Sequence, residues 1–96
     1  MPQLSESEIQ QALSALPGWS HANNTLTKTF TLPDFANAIA LVNGVAEVAE
    51  KQGHHPDMDI RYNRVTFTLS THDVGNAVTE KDVTLAREIE SEAQAL

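Results

Sequence analysis

The chain has 96 residues, 41% of them hydrophobic and 20% charged, the size and composition of a single globular domain spanning residues 1–96. Thirteen acidic residues against six basic ones give a formal charge of −7, the wrong sign for neutralising nucleic-acid phosphates, and the lack of cysteine excludes disulfides and thiolate metal sites. The amino-terminal segment has no basic region followed by an apolar run, and no stretch approaches about 18 apolar residues. Neither a signal peptide nor a membrane span is therefore read, and a cytoplasmic location is the expectation.

Ser5 and Glu8 form a capping box ahead of Ile9, Ala12, Leu13 and Leu16 on one helical face, and Pro17-Gly18 stops that helix. In "WSHANNTLTKTFTL" the Asn23-Asn24 pair marks a turn, with Trp19 and His21 before it. Leu26, Phe30 and Leu32 then share one strand face, interrupted by Lys28, which makes a first hairpin. "PDFANAIALVNGVAEVAEKQ" is the longest helical segment, with Pro33 in its first turn and a stripe of Phe35, Ala38, Ile39, Val42, Ala46 and Ala49. Leu41, Val45 and Val48 widen this stripe beyond what one sheet covers, which fits either a deeply seated helix or one that also packs on a partner subunit. Gly53 ends the helix in a left-handed C-terminal position.

Met58, Ile60 and Tyr62 next alternate with Asp59 and Arg61, a tight turn falls at Asn63-Arg64, and Val65, Phe67 and Leu69 alternate with Thr66, Thr68 and Ser70. This is a second hairpin with one buried face. The loop "THDVGNAV" leads to Thr79 and Asp82, a capping box with aspartate in place of the more usual glutamate. A last helix follows, with Val83, Ala86, Ile89, Ala93 and Leu96 on one side. The order α-β-β-α-β-β-α predicts an α+β domain, a four-stranded antiparallel sheet with three helices packed on one face.

His54 and His55, in "GHHPD", stand at the bend between a helix and a strand. Gly53 and Pro56 constrain that bend, so two neighbouring side chains can converge on one pocket instead of pointing to opposite faces. By parity His72 joins Thr66, Thr68 and Ser70, and pairing around Asn63-Arg64 returns it to the neighbourhood of residues 54–56. Three of the four histidines meeting at one bend exceed what a fold requires, whereas His21 reads as a surface residue. Glu50 lies four residues before His54, on a shared helical face if the last turn persists, where it would hold that imidazole in one tautomer. Read alone, Glu50 is a solvated helix charge. Asp82 alone is a first-turn acid favoured by its own helix dipole. Rigidly placed imidazoles suit general acid–base catalysis. Three of them also suit a catalytic zinc site, although metal ligands more often have H-x-H or H-x-x-x-H spacing than adjacency. No strained nucleophile turn and no glycine-rich phosphate loop is present.

Taken together, "EKQGHHPDMDIRYNRVTFTLSTHD" and "TEKDVTLA", with Gly18-Trp19 and Asp34-Phe35 as earlier landmarks, closely resemble the pterin-4a-carbinolamine dehydratase family over about residues 5 to 95. The resemblance implies the same α+β fold, a homodimer or homotetramer, and a hydro-lyase, 4a-hydroxytetrahydrobiopterin dehydratase. Such an enzyme converts pterin-4a-carbinolamine to quinonoid dihydropterin, recycling the tetrahydropterin used in aromatic amino acid hydroxylation, with no metal and no organic cofactor. It implies His55 as the acid assisting hydroxyl loss, and His54 and His72 as the base and the pterin-positioning residue. Glu50 then orients His54, and Trp19, Thr71 and Asp82 border the substrate, although Trp19 equally suits a core position. The expected partners are a small-molecule pterin and further copies of the chain, with no nucleic acid and no membrane. Met58 stands where relatives carry an aromatic residue or isoleucine, and "THDVGNAVTEKD" is one residue longer than the usual form. The alternative reading is a non-enzymatic pterin-binding or protein-dimerisation module on the same fold, and a metal-dependent hydrolase stands third.

Overall fold

The computed structural model describes residues 2–72 and 75–96; Asp73 and Val74, within the loop read from the sequence, and Met1 lie outside the described residues. The first helix, α1, spans Glu6–Leu13. Its capping box is complete: Ser5 Oγ accepts the Glu8 N–H at 3.1 Å, and the Glu8 carboxylate accepts the Ser5 N–H at 2.8 Å. The helix ends before Pro17, and turns then carry Leu16 into the core. Strands β1 (Ser20–Ala22) and β2 (Thr25–Thr31) form the first hairpin. Asn23 and Asn24 both take positive φ, 52° and 61°, the geometry that joins two twisted strands most tightly and that asparagine tolerates.

Helix α2 runs Phe35–Gln52 from an Asp34 cap whose carboxylate accepts the Asn37 N–H at 2.8 Å. Pro33 therefore precedes the cap and is not in the first turn, because the aspartate supplies an acceptor that proline lacks. Strands β3 (Asp57–Arg61) and β4 (Arg64–Leu69) form the second hairpin, and α3 spans Glu80–Gln94. The β3–β4 turn is Tyr62-Asn63, one residue earlier than the sequence pattern placed it, with Arg61 opposite Arg64. Asn63 fixes it there: its carbonyl accepts the Leu32 N–H at 2.8 Å and its side-chain amide donates to the Leu32 carbonyl at 2.9 Å.

The four strands form one antiparallel sheet in the order β1-β2-β4-β3. Leu26 pairs with Leu69, Lys28 with Phe67 and Phe30 with Val65, so these six residues share the face under the helices. Ala38, Leu41, Val45 and Ala49 of α2 and Val83, Leu85, Ala86 and Ile89 of α3 close the core over them. Trp19, Phe30 and Phe67 meet edge to face, with centroids 6.3 and 5.8 Å apart. The opposite face is a hydroxyl ladder, Thr29 with Thr66 at 2.7 Å and Thr27 with Thr68 at 3.3 Å.

Two patterns settle differently from the sequence expectation. The buried stripe of α2 is the one containing Leu41 and Val45; of the expected residues, Phe35 and Ala46 are exposed and Ile39 and Val42 half-buried. Two apolar stripes run side by side on this helix, and the sheet covers only one. Leu96 lies beyond the end of α3 and is exposed. Lys28, which interrupts the strand pattern, does face the core. Its ammonium nitrogen sits over the Phe30 ring, 4.5 Å from the centroid, and donates to the Pro17 carbonyl at 2.8 Å and to the Glu90 carboxylate of α3. Among the described residues no helix is long and apolar enough to cross a membrane.

The α1 cap has a pH signature. Hydrogen bonds from the Ser5 backbone and hydroxyl hold the Glu8 carboxyl below its ordinary value. A carboxyl depressed by folding favours the folded helix start above its unfolded pKa, and that contribution is lost as pH falls through the folded value. In an NMR titration Glu8 should titrate below an exposed glutamate, and Ser5→Ala, which keeps the backbone N–H but removes the hydroxyl, should move it only part of the way back up.

Candidate active site

Gly53, at φ 67°, ends α2 by turning the chain left-handed. The backbone N–H groups of Gly53 and His54 donate back to Glu50 and Ala49, so the helix closes before His54. The four-residue relation between Glu50 and His54 is thereby broken. Glu50 instead meets His55, with Oε2 2.5 Å from Nε2. His54 is held by Asp82 of α3, Oδ1 to Nε2 at 2.6 Å, and that carboxylate is buried behind the ring and does not itself line the cleft. The expectation that Glu50 orients His54 is therefore corrected to two separate pairs, Glu50–His55 and Asp82–His54.

The two pairs differ in exposure. The side chains of His55 and Glu50 are 62% and 76% exposed, whereas His54 is 11% exposed and Asp82 is wholly buried. Asp82 has more than one task. Its Oδ2 accepts the Thr79 N–H at 2.9 Å, completing the capping box of α3, and the Thr71 hydroxyl at 2.8 Å. Thr71 and Thr79 lie 2.7 Å apart through their hydroxyl oxygens, so the polar cluster is closed, and among the described residues no buried side-chain polar atom lacks a partner.

Strand β4 stops at Leu69, so strand parity no longer governs residue 72. Thr71 continues on the buried side and makes an isolated antiparallel bridge to Ala77, and His72 follows exposed. Its Nδ1 lies 2.5 Å from Oδ1 of Asn76. His54, His55 and His72 nevertheless border the same cleft of about 260 Å³, together with Gly53, Thr71 and Lys81. Trp19 does not join them. It is a core ring whose indole N–H donates to Glu90 at 2.8 Å, two turns along α3 from Asp82.

Each of these three imidazoles thus has one ring nitrogen bonded to a protein oxygen and, among the described residues, a second nitrogen without a partner. Carboxylate and amide oxygens can only accept here, so Nε2 of His54 and of His55 and Nδ1 of His72 are the donors. Among the described residues no three His, Cys, Asp or Glu side chains are gathered as a metal-binding group. The arrangement can receive and give protons around a small polar molecule. Sequence reasoning missed two residues, Asn76 and Lys81. Asn76 carried only a turn signal, and Lys81 is a basic residue next to Asp82 whose approach to the cleft depends on how α3 is seated.

Comparison with known proteins agrees with the motif. The sequence profile of the family described as pterin 4 alpha carbinolamine dehydratase matches residues 2–92. A protein of Chloroflexus aurantiacus, provisionally named a pterin-4-alpha-carbinolamine dehydratase, is 54% identical over 90 residues, covering 94% of this chain and 96% of its own. The crystal structure of a transcriptional coactivator/pterin dehydratase from Brucella melitensis superposes with a TM-score of 0.91 at 40% identity, over 96% of this chain and 99% of that one. A pterin dehydratase-like protein identified as a RuBisCO assembly factor of the alpha-carboxysome shares the fold, with a TM-score of 0.64 at 22% identity over 78% of this chain and 86% of its own. The chain belongs to the pterin 4 alpha carbinolamine dehydratase family.

The buried cluster gives a stability test. Asp82→Ala would strand the Thr79 N–H and the His54 ring and leave the Thr71 hydroxyl only that of Thr79, and should cost on the order of 3 kcal/mol in urea unfolding. Glu50→Ala, removing an exposed partner, should cost under about 1 kcal/mol.

Proposed function

We infer that this member of the pterin 4 alpha carbinolamine dehydratase family dehydrates 4a-hydroxytetrahydropterin to quinonoid dihydropterin by histidine acid–base catalysis in the cytoplasm, delivering the form that a separate reductase returns to tetrahydropterin. The observation that carries this reading is the convergence of His54, His55 and His72 on one cleft, each ring anchored by a different partner. The reaction breaks the bond from C4a to its hydroxyl oxygen and removes a proton from the adjacent ring nitrogen. The nitrogen lone pair then forms the new C=N bond, and the hydroxyl leaves as water after taking one proton. One proton enters and one leaves, so no electron acceptor is required.

His55 is the acid in this scheme. It is far more open than His54, so solvent can return its proton after each turnover, and Glu50 fixes the ring that donates it. His54, sealed against Asp82, holds the pterin in register, and Thr71 shares that carboxylate. His72 stands across the cleft as the base.

Two surfaces support a homo-oligomer. The edge strand β3 is exposed along its whole length, and Met58 and Ile60, which pair with Phe67 and Val65 on the helix side, remain 38% and 41% exposed. Phe35 at the start of α2 is 50% exposed. An unpaired edge with an apolar flank is the kind of surface that a second copy covers.

Loss of 4a-hydroxytetrahydropterin, followed by absorbance, tests the activity. His55→Ala and His54→Ala should each slow the rate by roughly 10²-fold or more while the proteins remain folded. A wild type that does not accelerate the reaction overturns the enzymatic reading and leaves a pterin-binding or protein-dimerisation module. In sedimentation velocity, Ile60→Lys should yield a smaller species than the wild type.

A further inference from the structure

We propose that Asn76 is a positioning residue that sets the tautomer of His72, turning Nε2 of that ring into a proton acceptor toward the cleft. The geometry rests on the bridge between Thr71 and Ala77. The Thr71 N–H donates to the Ala77 carbonyl at 2.8 Å and the Ala77 N–H to the Thr71 carbonyl at 3.2 Å, which brings both ends of the loop together. Inside this bridge the Gly75 N–H donates to the His72 carbonyl at 3.1 Å, and Asn76 takes φ 61°. A left-handed position excludes most side chains but accepts asparagine. In that conformation the Asn76 amide oxygen reaches Nδ1 of His72 at 2.5 Å.

The chemistry follows from what an amide oxygen can do. It carries no hydrogen, so Nδ1 of His72 donates and Nε2 of the neutral ring holds the lone pair. The other two rings are wired in the opposite sense. His54 and His55 give their Nε2 hydrogens to carboxylates, which leaves Nδ1 as their second nitrogen. His72 is therefore the one member of the trio that presents Nε2, the nitrogen farther from the backbone, as an acceptor. The catalytic half of this inference rests on the dehydratase reading above, while the tautomer half rests on geometry alone.

The test uses the full chain and three proteins: wild type, Asn76→Gly and Asn76→Asp. Glycine tolerates the left-handed backbone but removes the acceptor, whereas aspartate keeps an acceptor at the same reach. Imidazole ¹⁵N spectra at about pH 8.5, above the ordinary histidine range, should show His72 as the Nδ1–H tautomer in the wild type and in Asn76→Asp. In Asn76→Gly it should shift to Nε2–H. The dehydration rate constant should fall roughly 10-fold or more in Asn76→Gly, with unchanged KM and unfolding midpoint, and recover in Asn76→Asp. An Nε2–H tautomer in the wild type, or one that Asn76→Gly leaves unmoved, overturns the proposal, as does a tautomer shift with no change in rate. If the tautomer shifts as stated but no protein turns over pterin, Asn76 still positions His72 and the dehydratase reading fails instead.

Discussion

Water is excluded from the carboxylate of Asp82, and three donors from three parts of the chain replace it: the Thr79 N–H, the Thr71 hydroxyl and the His54 ring. Burying an uncompensated carboxylate costs several kcal/mol. Hydrogen bonds to a charged group contribute about 1.5–3 kcal/mol each, so three of them offset that cost and one would not. The cluster is consequently all or nothing. It ties the start of α3 to the end of β4 and to the α2–β3 bend, so the element that seats His54 is the same one that holds the domain shut. Site geometry and fold stability draw on one set of atoms.

The far end of α3 is secured by a different contact. Glu90 accepts from both the Trp19 indole and the Lys28 ammonium, and the side chains of that ion pair are each 18% exposed. Between these two polar anchors Val83, Leu85, Ala86 and Ile89 pack on the sheet. Polar contacts at both ends and apolar packing between them fix the seat of α3, against whose first turn the cleft is built. Trp19 is thus a core ring tied to the helix that carries Asp82, two turns further along.

Much of this was legible in the sequence because it depends on period and spacing. Alternation gave Val65, Phe67 and Leu69 their common face, the Ser5–Glu8 and Thr79–Asp82 spacings marked two helix starts, and Gly53 marked a helix end. The meeting of three histidines followed from the hairpin. Pairing between partners did not follow. Helical spacing joined Glu50 to His54, yet the left-handed turn at Gly53 removes His54 from the helix and leaves Glu50 to His55. The Asp82–His54 contact joins residues 28 apart and exists only once α3 has docked. On α2, two adjacent apolar stripes have similar character, and only the position of the sheet decides between them. The Asn76–His72 contact was hidden for a further reason: it depends on a bridge formed after β4 has ended, where strand counting no longer applies.

The Thr71–Ala77 bridge also bears on how such a chain can change over evolutionary time. It works as a drawstring: whatever length of loop lies between residues 71 and 77, its two ends leave and rejoin the body at the same place. A change of length there need not be transmitted to Asp82, whose bonds to His54 and Thr71 lie outside the loop. Natural selection can therefore lengthen, shorten or resequence this one turn, and with it the setting of His72, while the rest of the cleft is inherited intact.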